Sequence, residues 1–497
     1  MRINSDLSKN LFSSLFPQLV NIISNLILPT MIIVVYGSQI NGLISTVRSI
    51  VSYIALIGAG ISAAVTQSLY LPVAKGDINI VKGMLKAADN LFNKCGRSYL
   101  IIVCVVSFIY PLLVEGKVHY ITMVLLLLVM SISGASEFFV VGRCHSLLYA
   151  HQKVYVYSII QAFSLLVSLI LAILMLKLNV DIVLVQFSIS FVYILRAFIL
   201  HNYIKRVFPQ YNGFQKVKPI KKAIEKRNDA MIHQLSGLAV TGSQTIILSV
   251  FVSLEAASIY AIYNIVFSGL YSICSNINVA ITPFLGKTYA VESKVSLNEK
   301  FKLTEVSFYL LIFLLYGVTS VMLLPFIELY TKDADINYVY YKFGFIFLIV
   351  QLFTIYRIPS AAIINVAGHY KETKFRAIIE ASICVTASLL FTIYFGMYGV
   401  LLGTGCAIFW RCIDMIVYSH TRILFFKYYK SIFRLCRLVI IVSLFFYFGQ
   451  YLDLNIINYR YWFFVSLIVA LVIFVVAIID ILIFERNFLK ILAKRLK

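Results

Sequence analysis

Five arginines lie inside segments that are otherwise long and apolar enough to cross a lipid bilayer: Arg48, Arg143, Arg196, Arg357 and Arg411. A charged side chain at mid-membrane costs at least about 2.5–3.5 kcal/mol, so such residues usually face a bundle interior or a wet cavity. A guanidinium stays charged at physiological pH and binds two phosphate oxygens at once. We therefore predict that the five arginines are cavity cations that bind a phosphate or pyrophosphate group.

Depth in the predicted spans separates these arginines into two groups. Arg143 and Arg357 lie close enough to the cytoplasmic ends of their spans that snorkelling to lipid headgroups is an alternative for them. Arg48, Arg196 and Arg411 lie deeper, or nearer the opposite side, and this alternative does not explain them.

Acidic residues inside the spans are candidates for ion coupling: Glu137, Glu380 and Asp414. Asp414 follows Arg411 by three residues on the same helix face, which favours a local ion pair. Glu380 follows Arg376 by one helical turn, which predicts an interfacial pair. Glu137 has no such partner nearby in the sequence. It is therefore either a carboxylate that binds a proton or a cation, or a buried hydrogen-bonded side chain.

Other kinds of chemistry have little support in the sequence. The eight cysteines show no paired spacing, and the seven histidines show no pair at metal-ligand spacing. No glycine-rich phosphate-binding loop is present. We therefore expect no catalytic residues, no metal site and no cofactor, with coupling to protons or Na⁺ left open.

The composition indicates a membrane protein. The chain is 61% hydrophobic and 13% charged, with a mean hydropathy of +0.91. Apolar runs of about 20 residues indicate transmembrane helices, because barrel strands are about half as long and alternate in polarity. We therefore predict an all-α polytopic fold with about 14 spans, near residues 11–36, 40–70, 95–114, 120–149, 154–176, 182–204, 231–253, 256–286, 304–327, 340–367, 375–395, 397–421, 434–452 and 461–484.

The distribution of positive charge predicts the orientation. With a cytoplasmic N-terminus, cytoplasmic segments hold 33 of the 43 Lys and Arg residues, and the opposite side holds five. Both termini are thus predicted to be cytoplasmic. The net charge of +22 follows from topology, so nucleic acid is not expected as a partner. The most basic loop, residues 205–227, is interpreted as a hinge between halves, with contact to anionic lipid headgroups as the alternative.

The two halves of the chain align as a repeat. Arg143 matches Arg357 at an offset of 214, Arg196 matches Arg411 at 215, and residues 158–162 match residues 377–381 at 219. Because six spans separate the halves, both have the same orientation, and a substrate site is expected where they meet. The predicted divisions are a six-helix lobe (1–204), a basic linker (205–230), a second six-helix lobe (231–422), and two additional helices with a basic tail (423–497).

The pattern resembles the polysaccharide transporter family. The resemblance rests on the 6 + 6 + 2 spans, the basic loop after the sixth, and three short segments: Ala63-Ala64-Val65-Thr66-Gln67, Val279-Ala280-Ile281-Thr282-Pro283 and Ala367-Gly368-His369-Tyr370-Lys371. That family contains O-antigen and related repeat-unit flippases. It belongs to the superfamily that also holds the lipid II flippase and the multidrug and toxin extrusion antiporters.

The resemblance implies a V-shaped pair of lobes in the bacterial inner membrane. Such lobes open alternately to either side and translocate undecaprenyl-pyrophosphate-linked oligosaccharides. The implied partners are this lipid-linked substrate, membrane lipids and other polysaccharide assembly proteins. The two extra helices would form a peripheral hairpin.

Three alternatives remain open. A drug or small-solute antiporter of the same superfamily typically has an acidic residue in its first span, and residues 11–36 contain none. A membrane-embedded glycan polymerase or ligase usually has a large outer loop with catalytic Arg or His, whereas the outer loops here are short. A non-transporting scaffold of a glycan assembly complex is the third alternative. The expectation is a transporter and not an enzyme.

Overall fold

The structure is a computed structural model of the chain and describes residues 5–114, 116, 118–220, 227–452, 454 and 456–485. These residues form seventeen α-helices and no β-strand. Thirteen helical segments among them are long and apolar enough to cross a membrane. The predicted span at 231–253 corresponds to a further helix, Arg227–Phe251, whose apolar part is Ser236–Phe251. The predicted all-α polytopic fold is confirmed, and the chain is a multi-pass membrane protein.

The chain divides into two compact units, residues 1–261 and 262–497. Helices of the first unit are α1 (Ser5–Tyr36), α2 (Ser38–Ala55), α3 (Ile61–Lys75), α4 (Ile78–Leu113), α5 (Tyr120–Ser136), α6 (Gly142–Ala150), α7 (Val154–Lys177), α8 (Ile182–Val207), α9 (Arg227–Phe251) and the first turns of α10 (Leu254–Val291). The second unit holds the rest of α10, then α11 (Lys294–Tyr330), α12 (Tyr341–Tyr356), α13 (Ile358–Val366), α14 (Tyr370–Phe395), α15 (Met397–Tyr418), α16 (Tyr429–Tyr451) and α17 (Tyr459–Phe484). The predicted division by repeats stays a prediction.

Helix α4 begins at Ile78, well before the apolar span predicted from residue 95. Its first turns are amphipathic: Val81, Leu85, Ala88 and Phe92 are buried at helical spacing. The hydropathy pattern missed these turns because charged residues separate the apolar ones. They extend α4 beyond the apolar run and bring Asp89 into the interior of the first unit.

The loop that follows α8 packs against the first unit. Phe208 and Tyr211 are buried, and the amide of Ile220 donates to the carbonyl of Gly83 over 3.0 Å. His151 packs on the ring of Phe208, with ring centroids 4.4 Å apart. Residues 208–220 therefore pack against the first unit, and the interpretation of residues 205–227 as a hinge between halves stays a prediction. Residues 221–226 lie outside the described residues.

Several of the predicted spans are interrupted by irregular turns. A 3₁₀ turn, Leu56–Gly58, separates α2 from α3, and a π turn, Glu137–Val141, separates α5 from α6. The helix of the tenth predicted span breaks at Arg357, and Pro359, the second residue of α13, has no backbone N–H to donate to the preceding turn. A second π turn, Ser419–Leu424, ends α15. Such turns often occur at functional positions because they re-aim side chains.

Two close helix contacts depend on glycine. A Cβ on Gly403 of α15 would lie 2.2 Å from the amide nitrogen of Ser388 on α14. A Cβ on Gly42 of α2 would lie 1.8 Å from the carbonyl oxygen of Leu254 at the start of α10. Neither position has room for a side chain, so each glycine allows two backbones to meet.

Candidate functional site

A cavity of about 870 Å³ lies inside the first unit. Its wall comes from α2, α3, α4, α5, α6, α8 and the two irregular turns between them. Groups that can form hydrogen bonds line much of this wall: Ser52, Ser62, Thr66, Gln67, Tyr70, Ser133, Glu137, His145, Tyr149, Tyr193 and Arg196. The volume lies in the usual range for small-molecule sites, roughly 300–1,000 Å³. We call it the first-unit cavity.

Arg196 and Glu137 form an ion pair in this wall, with 3.1 Å between Nη2 and Oε2. Glu137 has no charged partner nearby in the sequence, but in the folded unit it pairs with Arg196, 59 positions away. The sequence did not show the pair because α8 and the π turn meet only in the folded unit. The side chain of Arg196 is 7% exposed and that of Glu137 is 45% exposed. The guanidinium is thus buried in the wall, and the carboxylate faces the cavity.

Aromatic rings surround this ion pair. The ring of Tyr193 lies 5.2 Å from the Cζ of Arg196, a cation–π distance. His145 packs against Tyr149 and Tyr157, with ring centroids 4.1 and 4.7 Å apart. The wall therefore offers flat ring faces beside neutral hydroxyl and amide groups, which suits ligands rich in hydroxyls.

Arg48 differs from the other four predicted cations. Its side chain is exposed, and no ion pair forms at it within the described part of the chain. Val51, Ser52 and Ala55 follow it on the same face of α2, and all three line the cavity. Arg48 also lies close enough to Tyr193 for an electrostatic interaction. It is an accessible cation that extends one wall of the first-unit cavity.

Arg143 forms an ion pair with Asp89 of α4 and lies over the ring of Phe214, 5.8 Å from its centroid. It does not line the first-unit cavity. It lines a smaller one of about 300 Å³, together with His201, Lys205 and Tyr211. Asp89 neutralises its charge, so neither a free cavity cation nor a snorkelling arginine describes its surroundings.

The second unit holds a cluster of five charged residues around α15, the α15 cluster: Arg357, Arg376, Glu380, Arg411 and Asp414. The predicted pair of Arg411 with Asp414 is confirmed, with 2.6 Å between Nη1 and Oδ2. Glu380 also lies 3.3 Å from Arg411 and pairs with Arg357.

The predicted pair of Glu380 with Arg376 is wrong. Arg376 pairs with Asp414 instead. Glu380 faces the interior and its side chain is 8% exposed, whereas that of Arg376 is 37% exposed. Burial therefore directs Glu380 to the arginines of α15 and of the α12–α13 break, and not to the neighbour one turn away.

A second buried group of charges was not predicted. Arg434 donates to Glu305 over 2.6 Å and to Glu485 over 2.6 and 3.0 Å. Arg437 lies 2.8 Å from Asp480, and Tyr309 donates to the other oxygen of that carboxylate over 2.8 Å. We call Glu305, Arg434, Arg437, Asp480 and Glu485 the hairpin cluster. The signal in the sequence is the position of Glu305 and Asp480 inside the predicted spans 304–327 and 461–484.

Polar side chains also join α2 to α9 and to the first turns of α10. Asn41 donates to Ser258 over 2.7 Å, and Gln39 donates to Glu255 over 2.9 Å. Farther along α2, Thr245 donates to Ser49 over 2.8 Å. These contacts flank the close approach of Gly42 to Leu254. No group of three metal-ligating His, Cys, Asp or Glu residues occurs in the described ranges.

No protein-family profile and no curated protein matches this sequence. Solved structures do match the fold. An inward-facing multidrug resistance transporter of the MATE family, in the MOP superfamily, aligns with a TM-score of 0.68 at 10% identity, over 82% of this chain and 94% of that chain. The lipid II flippase MurJ, inward closed, aligns with a TM-score of 0.64 at 15% identity, over 96% of this chain and 99% of that chain. A variant of the Vibrio cholerae MATE transporter VcmN aligns with a TM-score of 0.57 at 15% identity, over 85% and 98%.

These comparisons show that the chain shares the fold of these MATE transporters and of the lipid II flippase. The match to the lipid II flippase leaves 4% of 497 residues, about 20, outside the alignment. Helices α16 and α17 together contain 49 residues, 23 and 26. Most of this C-terminal hairpin therefore has a counterpart in that structure.

Proposed function

We propose that this protein is a flippase that translocates undecaprenyl-pyrophosphate-linked oligosaccharides across the bacterial inner membrane by alternating access. The observation that carries the proposal is the exposed Arg48, which lies one helical turn before Val51 and Ser52 of the first-unit cavity wall. An exposed guanidinium suits a pyrophosphate, and the neighbouring hydroxyl, amide and aromatic groups suit sugar rings. The likeness to the lipid II flippase over nearly the whole chain supports a transporter and not an enzyme.

Each charged residue then has a proposed role. Arg48 binds the pyrophosphate. Arg196 is held by Glu137 and positions that carboxylate at the cavity surface, where it accepts hydrogen bonds from sugar hydroxyls or binds the coupling ion. The α15 cluster has three guanidiniums and two carboxylates, so one positive charge is left to attract the anionic substrate. Arg143, paired with Asp89, contributes to packing.

The proposal includes the surroundings of the protein. Both termini are placed in the cytoplasm, in keeping with the distribution of Lys and Arg. The partners are the lipid-linked substrate, membrane lipids and other polysaccharide assembly proteins, with no nucleic acid and no cofactor beyond a coupling proton or Na⁺.

A second candidate is a cation-coupled antiporter for drugs or other small solutes. The half-exposed carboxylate of Glu137 in the first-unit cavity favours it, because a carboxylate attracts cationic solutes. The MATE-family structures share the fold of this chain. A substrate assay separates the two candidates.

The decisive experiment reconstitutes the purified protein in proteoliposomes that contain a labelled undecaprenyl-pyrophosphate oligosaccharide. Exposure of the sugar on the opposite leaflet is followed with an impermeant glycosidase. We expect exposure to be at least tenfold faster than in protein-free vesicles. Transport of cationic dyes without any acceleration of the glycolipid would overturn the proposal in favour of the antiporter.

A further inference from the structure

The hairpin cluster has more negative than positive charge. It contains three carboxylates, Glu305, Asp480 and Glu485, and two guanidiniums, Arg434 and Arg437. The side chains of all five are at most 13% exposed. One negative charge is thus uncompensated in the described part of the chain. Burial of an unbalanced charge is costly, so the cluster favours uptake of one positive charge.

A histidine that faces this cluster can accept that charge as a proton. His420, fully buried in the π turn that ends α15, lies with Nδ1 2.8 Å from the carbonyl oxygen of Ile416. A carbonyl oxygen only accepts hydrogen bonds, so Nδ1 carries a hydrogen. Nε2 is left 3.0 Å from the hydroxyl of Ser431 and 3.8 Å from Oε1 of Glu305.

The serine hydroxyl makes both protonation states of the histidine acceptable. In neutral His420, Ser431 donates to Nε2. In the charged form, Nε2 donates to the same oxygen and lies beside the Glu305 carboxylate. Protonation therefore needs only rotation of one hydroxyl and leaves no hydrogen bond unmade at the ring.

We propose that His420 and the hairpin cluster form a proton-binding site that links α15 and α11 to the C-terminal hairpin. His420 takes up one proton at Nε2, and the third carboxylate of the cluster compensates its charge. Protonated His420 then faces Oε1 of Glu305, whose Oε2 accepts from Arg434, so the proton changes the charge balance at the contact between α16 and α11. This site shares no residue with the first-unit cavity and does not depend on a particular transported substrate.

Other charged and titratable groups that face His420 are few. Lys302 and Glu305 come from α11, Arg434 from α16, and Tyr356 from α12, where its hydroxyl donates to the carbonyl of Ser431. Lys302 is exposed, with its Nζ 4.8 Å from the ring centroid of Phe426. That ring in turn packs on His420 at 4.6 Å. Lys302 is therefore solvated by water. The electrostatic field at Nε2 of His420 comes mainly from Glu305 and Arg434.

The test is an NMR titration of the full-length protein in detergent, with ¹³C at the Cε1 positions of its histidines. The His420 resonance is assigned by its loss in His420→Gln. We expect it to shift with pH along a transition of one proton. A His420 resonance that stays constant from about pH 4.5 to 8.5 would overturn the proposal.

Two variants test the assignment to the cluster. In Glu305→Gln, the His420 transition should move to lower pH by about one unit or more, because an opposite charge within about 4–6 Å favours the protonated form. His369→Gln is the matched control. His369 is half-buried and forms a hydrogen bond with Tyr418, so its replacement should leave the His420 transition unchanged. An unchanged transition in Glu305→Gln would contradict the role of the cluster. The titration uses no substrate, so its outcome is separate from that of the flippase assay.

Discussion

The five arginines inside predicted spans differ in whether they form an ion pair. Arg143, Arg196, Arg357 and Arg411 each contact a carboxylate, and Arg48 forms no such pair among the described residues. A neutralised arginine attracts an anion less than a free one does. The residue types alone predicted five similar sites, but their partners give them different roles.

Arg48 therefore provides the most direct test of phosphate binding. Arg48→Ala should lower the rate of glycolipid flipping by roughly 10- to 100-fold, the usual effect of losing a hydrogen bond to a charged group. Arg48→Lys should restore only part of the rate, because an ammonium lacks the bidentate geometry. Arg97→Ala, at another exposed arginine of the first unit, is the control. Each rate is measured on protein of normal membrane abundance, and full activity of Arg48→Ala would refute the assigned role.

The pair of Glu137 and Arg196 predicts an asymmetry in stability. Glu137→Gln leaves a buried guanidinium without a counter-charge, whereas Arg196→Gln leaves a half-exposed carboxylate that water can solvate. Breaking a fully buried pair costs about 3–5 kcal/mol, so Glu137→Gln should approach that range and Arg196→Gln should cost clearly less. Thermal unfolding in detergent measures the difference. The double variant should be more stable than Glu137→Gln alone, and equal losses in the two single variants would contradict the observed burial.

At the scale of the helices, residues that match in the predicted alignment of the two halves form different ion pairs. Arg143 pairs with Asp89, but the residue that matches Asp89 at an offset of 216 is Glu305, which pairs with Arg434 of the hairpin. Arg357, which matches Arg143, pairs instead with Glu380, where the first repeat has Gln161. Residues at matching positions therefore do not form matching ion pairs.

The contact of α2 with α10 depends on Gly42, because a glycine has no side chain to hold the two helices apart. Gly42→Ala should push α2 away from Leu254 and weaken the bonds of Gln39 and Asn41, at a cost of about 1–3 kcal/mol, as for other overpacked sites. Gly269→Ala is the matched control, since nothing lies within 4 Å of a Cβ in the middle of α10. Disulfide formation between cysteines at positions 41 and 258 reports the contact. Undiminished cross-linking in Gly42→Ala would contradict this prediction.

For the whole molecule, the distribution of Lys and Arg predicts the topology. Reporter fusions at Gly213 should report cytoplasm, and fusions near Asp335 should report the outer side, because 33 basic residues lie in segments on one side and five on the other. Fusions near Asp453 and after Lys497, positions outside the described residues, should report the outer side and the cytoplasm. An outer location for Gly213 would contradict both the orientation and the repeat alignment.

The sequence by itself determined the fold class, the approximate number of spans and the local pair of Arg411 with Asp414. Apolar runs of membrane length and contacts between residues one turn apart depend on short stretches of chain, so their physics is visible in the sequence. The tertiary structure decided which carboxylate neutralises Arg143 and Arg196, left Arg48 exposed, and placed His420 beside the hairpin cluster. Those contacts join residues on different elements, 54 positions apart for Arg143 and Asp89 and 59 for Arg196 and Glu137. Their energies depend on burial, which only the packed helices establish.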